Sequence, residues 1–576
     1  MHQPQFLIYR SSAGSGKTQT LAGEYLKLVL SGRADFRHVL AITFTNKAAE
    51  EMKERVLQLL ALFASDAELP GHQKDLLLEI SGLSALSADL IRKKSGEVRR
   101  EILHHYSEFN IGTIDSFVHR IIRSFALELN LSYAFEVQLD TNMFIQMAVD
   151  DLLEKTGEDP ELTRNLVGFT RSLLEDEKSW NIDQALVGFA KFLTGEASMP
   201  PLEKLASARI NFRKVADSNR KALALISSGW DELLRRADEL ILNCGIGHEY
   251  FSNGLSGGIY TFFSNLLDSH DYARIFNRLD KAKRVNGYME EGKKFYNKGT
   301  DKHVAGILDA LADELIPVWH QLTTAIDAHY PEYITRQLIA ENLTNLSLSS
   351  KIREQMQVTM DRENLIPIYE FNRLIWNIIR NQPVPFIYER TSERFDHFLV
   401  DEFQDTSSLQ WLNLLPLVEN SLAQGGVSMV VGDAKQAIYR WRNGDVWQFV
   451  RLPEVDNPDD NPLITAREDA LKRYAAEGNL NKNFRSAPEI IGFNNAFFGW
   501  LSQKYADVLG DIYRDHAQVA GKNGVSGYVE VHLIPEEEGL RQEDYSRAMA
   551  DTVLQKVQEV LGHPHHGFSP SDVCIL

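Results

Sequence analysis

The stretch from Phe6 to Thr18, FLIYRSSAGSGKT, decides the fold of this chain. Its first residues, Phe6–Tyr9, are a short apolar run that is typical of a buried strand. A glycine-rich turn follows at once, and a helical pattern then continues to about Leu30. The stretch therefore predicts a strand, a tight loop and a helix in direct succession.

The loop has the composition of a phosphate-binding loop. Gly14 and Gly16 let the backbone turn its amide groups inward, and the following helix adds the positive end of its dipole. The amine of Lys17 can reach the β- and γ-phosphates, and the hydroxyl of Thr18 can bind Mg²⁺. The predicted nucleotide-binding residues are Ser11, Ser12, Ala13, Gly14, Ser15, Gly16, Lys17 and Thr18.

Other segments extend this pattern into an α/β domain. Apolar runs that precede polar turns and helical patterns predict a parallel sheet covered on both faces. The stretch from about 130 to 385 has a mostly helical pattern, which we interpret as an insertion into that domain. The further predicted strands are Val39–Ile42, Phe398–Val400 and Met429–Val431, and Lys47–Phe63 is a predicted helix.

The last fifty residues predict a second α/β region. Gly527–Ile534 alternates like a strand, Ser546–Leu561 has a helical pattern, and Val573–Leu576 begins another apolar run. Since that last run stops inside a predicted strand, we expect the chain to be part of a longer protein; the alternative is that the last run is an unusual edge strand.

A carboxylate pair follows the strand that ends at Val400. One acid can bind Mg²⁺ and the other can orient or deprotonate an attacking water, so we assign Asp401 to the metal and Glu402 to the water. Alone, the pair could also be an exposed acidic turn. Lys17 and Asp401 are 384 positions apart (401 − 17), which requires a large insertion between the strands.

Composition excludes several classes of protein. The 576 residues carry a net charge of −19 and contain two cysteines, Cys244 and Cys574, too far apart in sequence for a CxxC site. We therefore expect no zinc site, iron–sulfur cluster or disulfide framework. The charge disfavours a protein that coats nucleic acid by charge alone. No apolar run is long enough for a membrane span, the N-terminus lacks a targeting pattern, and we expect a cytoplasmic protein.

Six segments, in chain order, resemble the motor of superfamily 1A DNA helicases, the UvrD/Rep class, and more closely its RecB/AddA branch. The resemblance implies an α/β P-loop NTPase (RecA-like) parallel-sheet domain at 1–130 and 385–475, a helical insertion at 131–384, and the truncated start of a second RecA-like domain at 476–576. The segments are SSAGSGKT (11–18), AITFTNKAAEEM (41–52), IGTIDSF (111–117), VDEFQDTSSLQ (400–410), VVGDAKQAIYRWRNGD (430–445) and NKNFRS (481–486).

The resemblance implies further roles at the nucleotide. Gln436 would sense the γ-phosphate, and Arg485 would be an arginine finger from the second domain, as suits its guanidinium chemistry. Phe484 stands where the family usually has a tyrosine that stacks on adenine. We also expect Gln404 to face the nucleotide, with Asp405 and Thr406 starting the next helix.

Phe44, Tyr439 and Trp441 match positions where the family stacks single-stranded bases. Arg440 and Arg442 bracket Trp441, an alternation of basic and aromatic residues that suits a single strand. Ordinary core packing is the alternative for each aromatic ring.

The remaining DNA contacts come from the resemblance alone. Thr45 and Asn46 would contact DNA phosphates, and the same residues are suited to cap the helix that follows. Thr113 and Ser116 would also contact DNA. In the family, histidine is common where this chain has Asp115, and an acid there would repel phosphate.

The resemblance implies an ATP- and Mg²⁺-dependent DNA helicase or translocase that moves 3′ to 5′ on single-stranded DNA, within a helicase–nuclease of DNA repair or recombination. Its substrates would be single strands and duplex ends, and its partner an AddB-like or RecC-like subunit. Because we find no match to the family's later motifs, we expect weak unwinding or none. The alternatives are a P-loop ATPase switch or loader, indifferent to single-stranded DNA, and a DNA-binding scaffold without catalysis.

Overall fold

The structure is a computed structural model that describes residues 5–65, 67–126, 129, 131, 135–175, 181–208, 210–255, 258–277, 280–379, 394–458, 460–521, 526–533, 542–562 and 567–576. The strands are β1 (Phe6–Ser11), β2 (Val39–Thr43), β3 (Ile111–Thr113), β4 (Glu136–Gln138), β5 (Leu365–Pro367), β6 (His397–Val400), β7 (Ser428–Gly432), β8 (Ala475–Leu480), β9 (Lys482–Asn483) and β10 (Val519–Ala520). The helices are α1 (Lys17–Leu30), α2 (Asn46–Ala64), α3 (Gly71–Ser84), α4 (Ala88–His104), α5 (Ile114–Ser124), α6 (Thr141–Glu154), α7 (Pro160–Glu175), α8 (Ile182–Thr194), α9 (Met199–Ser207), α10 (Phe212–Asn243), α11 (Ile259–Ser269), α12 (Ala273–Phe276), α13 (Asp280–Met289), α14 (Lys302–Glu363), α15 (Glu370–Ile379), α16 (Ser408–Ala423), α17 (Val446–Arg451), α18 (Pro462–Tyr474), α19 (Pro488–Lys504), α20 (Ala506–Leu509) and α21 (Gln542–Gly562).

The described residues divide into two compact units. The α/β unit comprises described residues up to 114 and from 394 onward, and the helical unit comprises described residues 115–379. The predicted domain limit at 384/385 falls within 380–393, outside the described residues, so it stays a prediction. None of the described helices is both long and apolar enough to span a bilayer.

A six-stranded parallel sheet organises the α/β unit, in the order β3-β2-β6-β7-β1-β8. The four apolar runs predicted from the sequence form β1, β2, β6 and β7, and the predicted helix at 47–63 is α2. Helices α1 to α4 bury their apolar faces in a core that includes Val39, Leu399 and Val431 from the strands. Because all pairings are parallel, the carboxyl ends of the strands meet at one edge.

The helical unit is built around α14, which is 62 residues long and contains Pro317 and Pro331. Trp230 of α10 and Trp319 of α14 belong to one buried core, and α6, α7 and α8 pack on the later part of α14 in a second core. This unit matches the mostly helical pattern predicted for the middle of the chain.

Three sequence predictions about elements are wrong. Residues 527–533 form no strand, and neither do residues 573–576. Alternating or apolar side chains satisfy only half of a strand's requirements, because its backbone groups also need a paired neighbour. The helix after the acidic pair begins at Ser408 with Ser407 as its N-cap, so Asp405 and Thr406 do not start it. The predicted helix at 546–561 is confirmed as part of α21.

Candidate active site

The loop between β1 and α1 has the backbone of a phosphate cradle. Gly14 and Gly16 have φ angles of 74° and 83°, in the left-handed region that glycine adopts without strain. The Ser15 N–H donates to the Ser12 carbonyl at 3.1 Å, and α1 begins at Lys17. The loop therefore leads directly into a helix N-terminus, which favours a bound anion.

Residues from a distant part of the sequence hydrogen-bond to this loop. The Phe484 N–H donates to the Gly14 carbonyl at 2.9 Å, and the Gln518 side-chain amide donates to the Ala13 carbonyl at 2.8 Å. A Cβ atom at Gly14 would lie 2.7 Å from Asn483 Oδ1. Glycine is thus required at position 14 both by its φ angle and by the close approach of Asn483.

Polar atoms of the loop are buried, and two of them have no hydrogen-bond partner within the part of the chain that the structure describes. The Ser11 hydroxyl donates to the Gly432 carbonyl at 2.6 Å, whereas the hydroxyls of Ser12 and Ser15 are buried without a partner. Buried polar groups are rarely left unpaired. The loop therefore fits a polar ligand.

Lys17 meets the acidic pair, as the sequence predicts. Its Nζ lies 2.6 Å from Glu402 Oε2 and 3.4 Å from Gln436 Oε1, although the carboxylate is 385 positions away in sequence. The contact follows from the sheet, because β6 and β7 are neighbours and β7 pairs with β1. Glu402 itself has a φ of 50°, a conformation that costs a non-glycine residue about 1 kcal/mol.

Asp401 is a buried carboxyl beside this ion pair. Burial and the charge of Glu402 raise the pKa of Asp401 to about 6, although Lys17 acts in the opposite direction. Its Oδ1 accepts a hydrogen bond from the Glu402 N–H at 2.9 Å. A buried carboxylate, with the Thr18 hydroxyl at the start of α1, supplies the oxygen donors that Mg²⁺ prefers.

The other residues predicted to contact the nucleotide lie near the phosphate loop or beside the acidic pair. Arg485 is exposed, and its Cβ lies 2.8 Å from the place where a Cβ on Gly14 would be. The exposed Phe484 ring packs against Gly521. Gln404 is buried, and its side-chain amide hydrogen-bonds to protein groups.

The aromatic residues predicted to stack on bases form one cluster in the α/β unit. The rings of Phe44 and Tyr439 lie 4.5 Å apart, and Trp441 lies 6.1 Å from Tyr439. The guanidinium of Arg442 lies 5.0 to 6.0 Å from all three ring centroids. Trp441 is 74% exposed, which excludes core packing for that residue, whereas Phe44 and Tyr439 are half-buried.

The remaining predicted DNA contacts have varied surroundings. Thr45 caps α2 by accepting a hydrogen bond from the Ala48 N–H, and Asn46 is the first residue of that helix. Thr113 ends β3 in register with Thr43. Ser116 is exposed on α5 in the helical unit.

Three residues of the site were not predicted from the sequence. Asp433 is buried after β7, and its carboxylate accepts from the Gln436 side-chain amide at 2.8 Å and pairs with Lys435 at 2.7 Å. Asn483 and Gln518 support the phosphate loop from the distant chain segment. The sequence contained a signal for Asp433, because it is an acidic residue directly after a predicted buried strand. It contained no signal for Gln518.

Known proteins are similar to this chain over most of its length. The family model described as the UvrD/REP helicase N-terminal domain matches residues 2–454. Bacterial proteins whose names describe them as subunits of an ATP-dependent helicase/nuclease are also similar to it. That of Oenococcus oeni is 24% identical over 96% of this chain, that of Staphylococcus epidermidis is 20% identical over 97%, and that of Streptococcus thermophilus (LMG 18311) is 25% identical over 89%.

The chain spans less than half of the length of these relatives, 44%, 43% and 39% respectively. The family match covers well over half of this chain and includes the phosphate loop, the acidic pair and the aromatic cluster. The chain belongs to the UvrD/REP helicase N-terminal domain family.

Proposed function

We propose that this chain is the ATP-driven motor of a DNA helicase or translocase that acts in DNA repair or recombination. The observation that carries the proposal is the meeting of Lys17, Glu402 and Gln436 at one edge of the parallel sheet. The similarity to proteins named as helicase/nuclease subunits supports DNA as the substrate.

The site's own residues account for ATP binding and hydrolysis. The loop amides and Lys17 bind the phosphates, Glu402 orients or deprotonates the attacking water, and Gln436 contacts the γ-phosphate. Thr18 and Asp401 would hold Mg²⁺, which neutralises charge on the phosphates when it is bound. Arg485, adjacent to Gly14, would add a positive charge as γ-phosphate charge develops, with Phe484 stacked on adenine.

The aromatic cluster is the proposed binding site for single-stranded DNA. Its half-buried pair Phe44 and Tyr439, the exposed Trp441 ring and the Arg442 cation offer stacking faces and charge to bases and backbone. Thr45, Asn46, Thr113 and Ser116 would contact phosphates. Because the chain carries a net charge of −19, DNA must bind along local Lys and Arg side chains. The affinity of the protein for DNA should therefore fall as the salt concentration rises.

The finer parts of the proposal rest on family resemblance. We propose 3′ to 5′ movement, a partner protein of the AddB or RecC kind, and a cytoplasmic location where chromosomal DNA is processed. Since the relatives are named as subunits, their names support a partner.

The central test is ATP hydrolysis with and without single-stranded DNA, on the chain and on its Lys17→Ala variant. We expect stimulation by DNA in the parent chain, and a loss of about 100-fold or more in the variant because a preorganised phosphate-binding cation is removed. Lys47→Ala is a matched control, since Lys47 is exposed on α2. If Lys17→Ala hydrolysed ATP as fast as the parent chain, the proposed nucleotide site would be refuted. If single-stranded DNA did not stimulate hydrolysis, a P-loop ATPase switch or loader would be favoured.

A second prediction concerns the stability of the nucleotide-free protein. The pKa of Asp401 is raised to about 6 in the folded state and is about 3.9 unfolded, so its charged form opposes folding above pH 6 and this penalty disappears as the pH falls toward 4. Asp401→Asn should therefore stabilise the protein at pH 7.5, by at most about 3 kcal/mol, and not at pH 4.

Thermal unfolding in EDTA, at several pH values, measures this effect without divalent metal. Asp35→Asn is the control, because Asp35 is an exposed residue that caps the single helical turn Phe36–His38 and its replacement should give no such pH-dependent gain. A destabilised Asp401→Asn variant at pH 7.5 would contradict the prediction.

A third prediction tests the aromatic cluster. Trp441→Ala should weaken binding of an oligo-dT strand by about tenfold, since base stacking contributes roughly 1–3 kcal/mol per base. Fluorescence anisotropy of labelled oligo-dT measures this affinity. Trp500→Ala removes an exposed tryptophan of α19 outside the cluster and should leave binding unchanged; equal losses in both variants would argue against a specific stacking site.

A further inference from the structure

The segment 481–521 contacts the phosphate loop at two of the loop's carbonyl groups. The Phe484 N–H donates to the Gly14 carbonyl at 2.9 Å, and the Gln518 side-chain amide donates to the Ala13 carbonyl at 2.8 Å. Because both acceptors are carbonyl oxygens, these contacts do not use the amide N–H groups that bind phosphate. Gln518 lies outside all six segments that resemble the helicase family.

The backbone of Gln518 is held by helix α19. The Gln518 N–H donates to Asn495 Oδ1, and Asn495 Nδ2 donates to the Gln518 carbonyl, each at 2.9 Å. Asn495 lies in the middle of α19. Since one carboxamide binds both backbone groups of Gln518, the Gln518 side chain starts from a fixed position relative to this helix.

The side chain of Gln518 also binds Asn483, which is buried. Asn483 Nδ2 donates to Gln518 Oε1 at 3.0 Å, and Asn483 Oδ1 accepts from the N–H groups of Arg485 and Ser486 at 2.8 and 2.9 Å. A backbone carbonyl can only accept and a backbone N–H can only donate, so the groups at the two ends fix the orientation of both carboxamides. The two side chains therefore link the Ala13 carbonyl to the backbone of Arg485.

The contact between the segment and the loop is also close. A Cβ atom on Gly14 would lie 2.7 Å from Asn483 Oδ1 and 2.8 Å from Arg485 Cβ. The first carbon of the Arg485 side chain is therefore adjacent to the backbone of the phosphate loop. This position of Arg485 depends on the contact between segment 481–521 and the loop.

The segment has internal contacts that do not involve the phosphate loop. Strands β9 and β10 pair in parallel. The N–H groups of Val519 and Gly521 donate to the carbonyls of Asn481 and Asn483 at 2.9 and 2.7 Å. The segment can therefore separate from the phosphate loop while its own hydrogen bonds remain.

We propose that Gln518 is a positioning residue: its carboxamide keeps the segment 481–521 docked on the phosphate loop in the nucleotide-free protein and thereby holds Arg485 beside the place where γ-phosphate charge develops. Gln518 itself makes no contact with the nucleotide in this assignment. The role of Arg485 rests on the proposed function, whereas the docking of the segment does not.

Hydrogen–deuterium exchange without nucleotide, in EDTA, tests the docking when single amides are resolved by fragmentation in the mass spectrometer. Gln518→Met keeps the length of the side chain and removes both of its hydrogen bonds. We expect the Phe484 N–H to exchange about tenfold faster in this variant, the effect of about one net hydrogen bond, and the Gly521 N–H to exchange as in the parent chain. Unchanged exchange at Phe484 would overturn the inference, and so would equally faster exchange at Gly521, because the segment itself would then be disrupted.

Steady-state hydrolysis of radiolabelled ATP with single-stranded DNA tests the effect on Arg485. In Gln518→Met, we expect kcat to fall by about tenfold while KM for ATP stays within about threefold, because an arginine finger acts on charge that develops in the transition state. In an Arg485→Ala background, Gln518→Met should cause no further loss, since its effect passes through Arg485. An additive loss in the double variant, or a raised KM with unchanged kcat, would overturn the positioning role.

Two further variants complete the test. Gln518→Glu keeps an acceptor for Asn483 and removes the donor to Ala13, so it should behave like Gln518→Met; parent-like behaviour would overturn docking through the Ala13 carbonyl. Gln555→Met is the matched control, because Gln555 is an exposed glutamine of α21 whose amide donates to Glu559. It should change neither exchange nor kcat, and an equal loss there would overturn the inference.

The two measurements separate this inference from the proposed function. Hydrogen exchange needs neither ATP nor DNA, so it decides whether Gln518 docks the segment even in a chain without hydrolysis. Failure of the proposed function would appear instead as a parent chain whose hydrolysis is absent or is not stimulated by single-stranded DNA.

Discussion

The site depends on the parallel pairing of three neighbouring strands, β6, β7 and β1. Their shared direction brings three loops to one edge of the sheet: the phosphate loop after β1, the acidic pair after β6 and the Asp433 segment after β7. Ligands of open α/β sheets bind outside the carboxyl ends of the strands for this reason. The 2.6 Å contact between Lys17 and Glu402 is a consequence of that pairing, despite the intervening helical unit.

Elements with a complete local signal were predictable from the sequence. The apolar runs that form β2, β6 and β7 are buried at every position, and β1 is buried at half of its positions and partly buried at the others. Buried parallel strands of this kind carry their signal in composition alone. The segment 527–533 shows the limit, because alternation describes side chains and gives no information on pairing partners. The start of α16 had a local signal, the capping box of Ser407 and Gln410, which outweighs the capping tendency of Asp405.

The candidate site was predictable where chemistry is concentrated in short motifs. Lys17 and Glu402 were predicted from short motifs that follow apolar strands, and Gln436 was expected from the family resemblance; Lys17 lies within hydrogen-bonding distance of both in the structure. Gln518 could not be predicted, since an amide that supports the Ala13 carbonyl has no pattern of its own. The same holds for the sharing of Glu402 Oε2 between Lys17 and Gln404, which depends on tertiary distances of a few ångströms.

The close approach of Asn483 to Gly14 has an evolutionary consequence. A side chain at position 14 would collide with the Asn483 carboxamide, and Asn483 in turn orients the backbone N–H groups of Arg485 and Ser486. Because the φ angle of 74° also requires glycine at position 14, no change at Asn483 can compensate for a side chain there. Joint invariance of these two positions, 469 residues apart (483 − 14), is therefore the trace that selection on this loop should leave in a large set of related sequences.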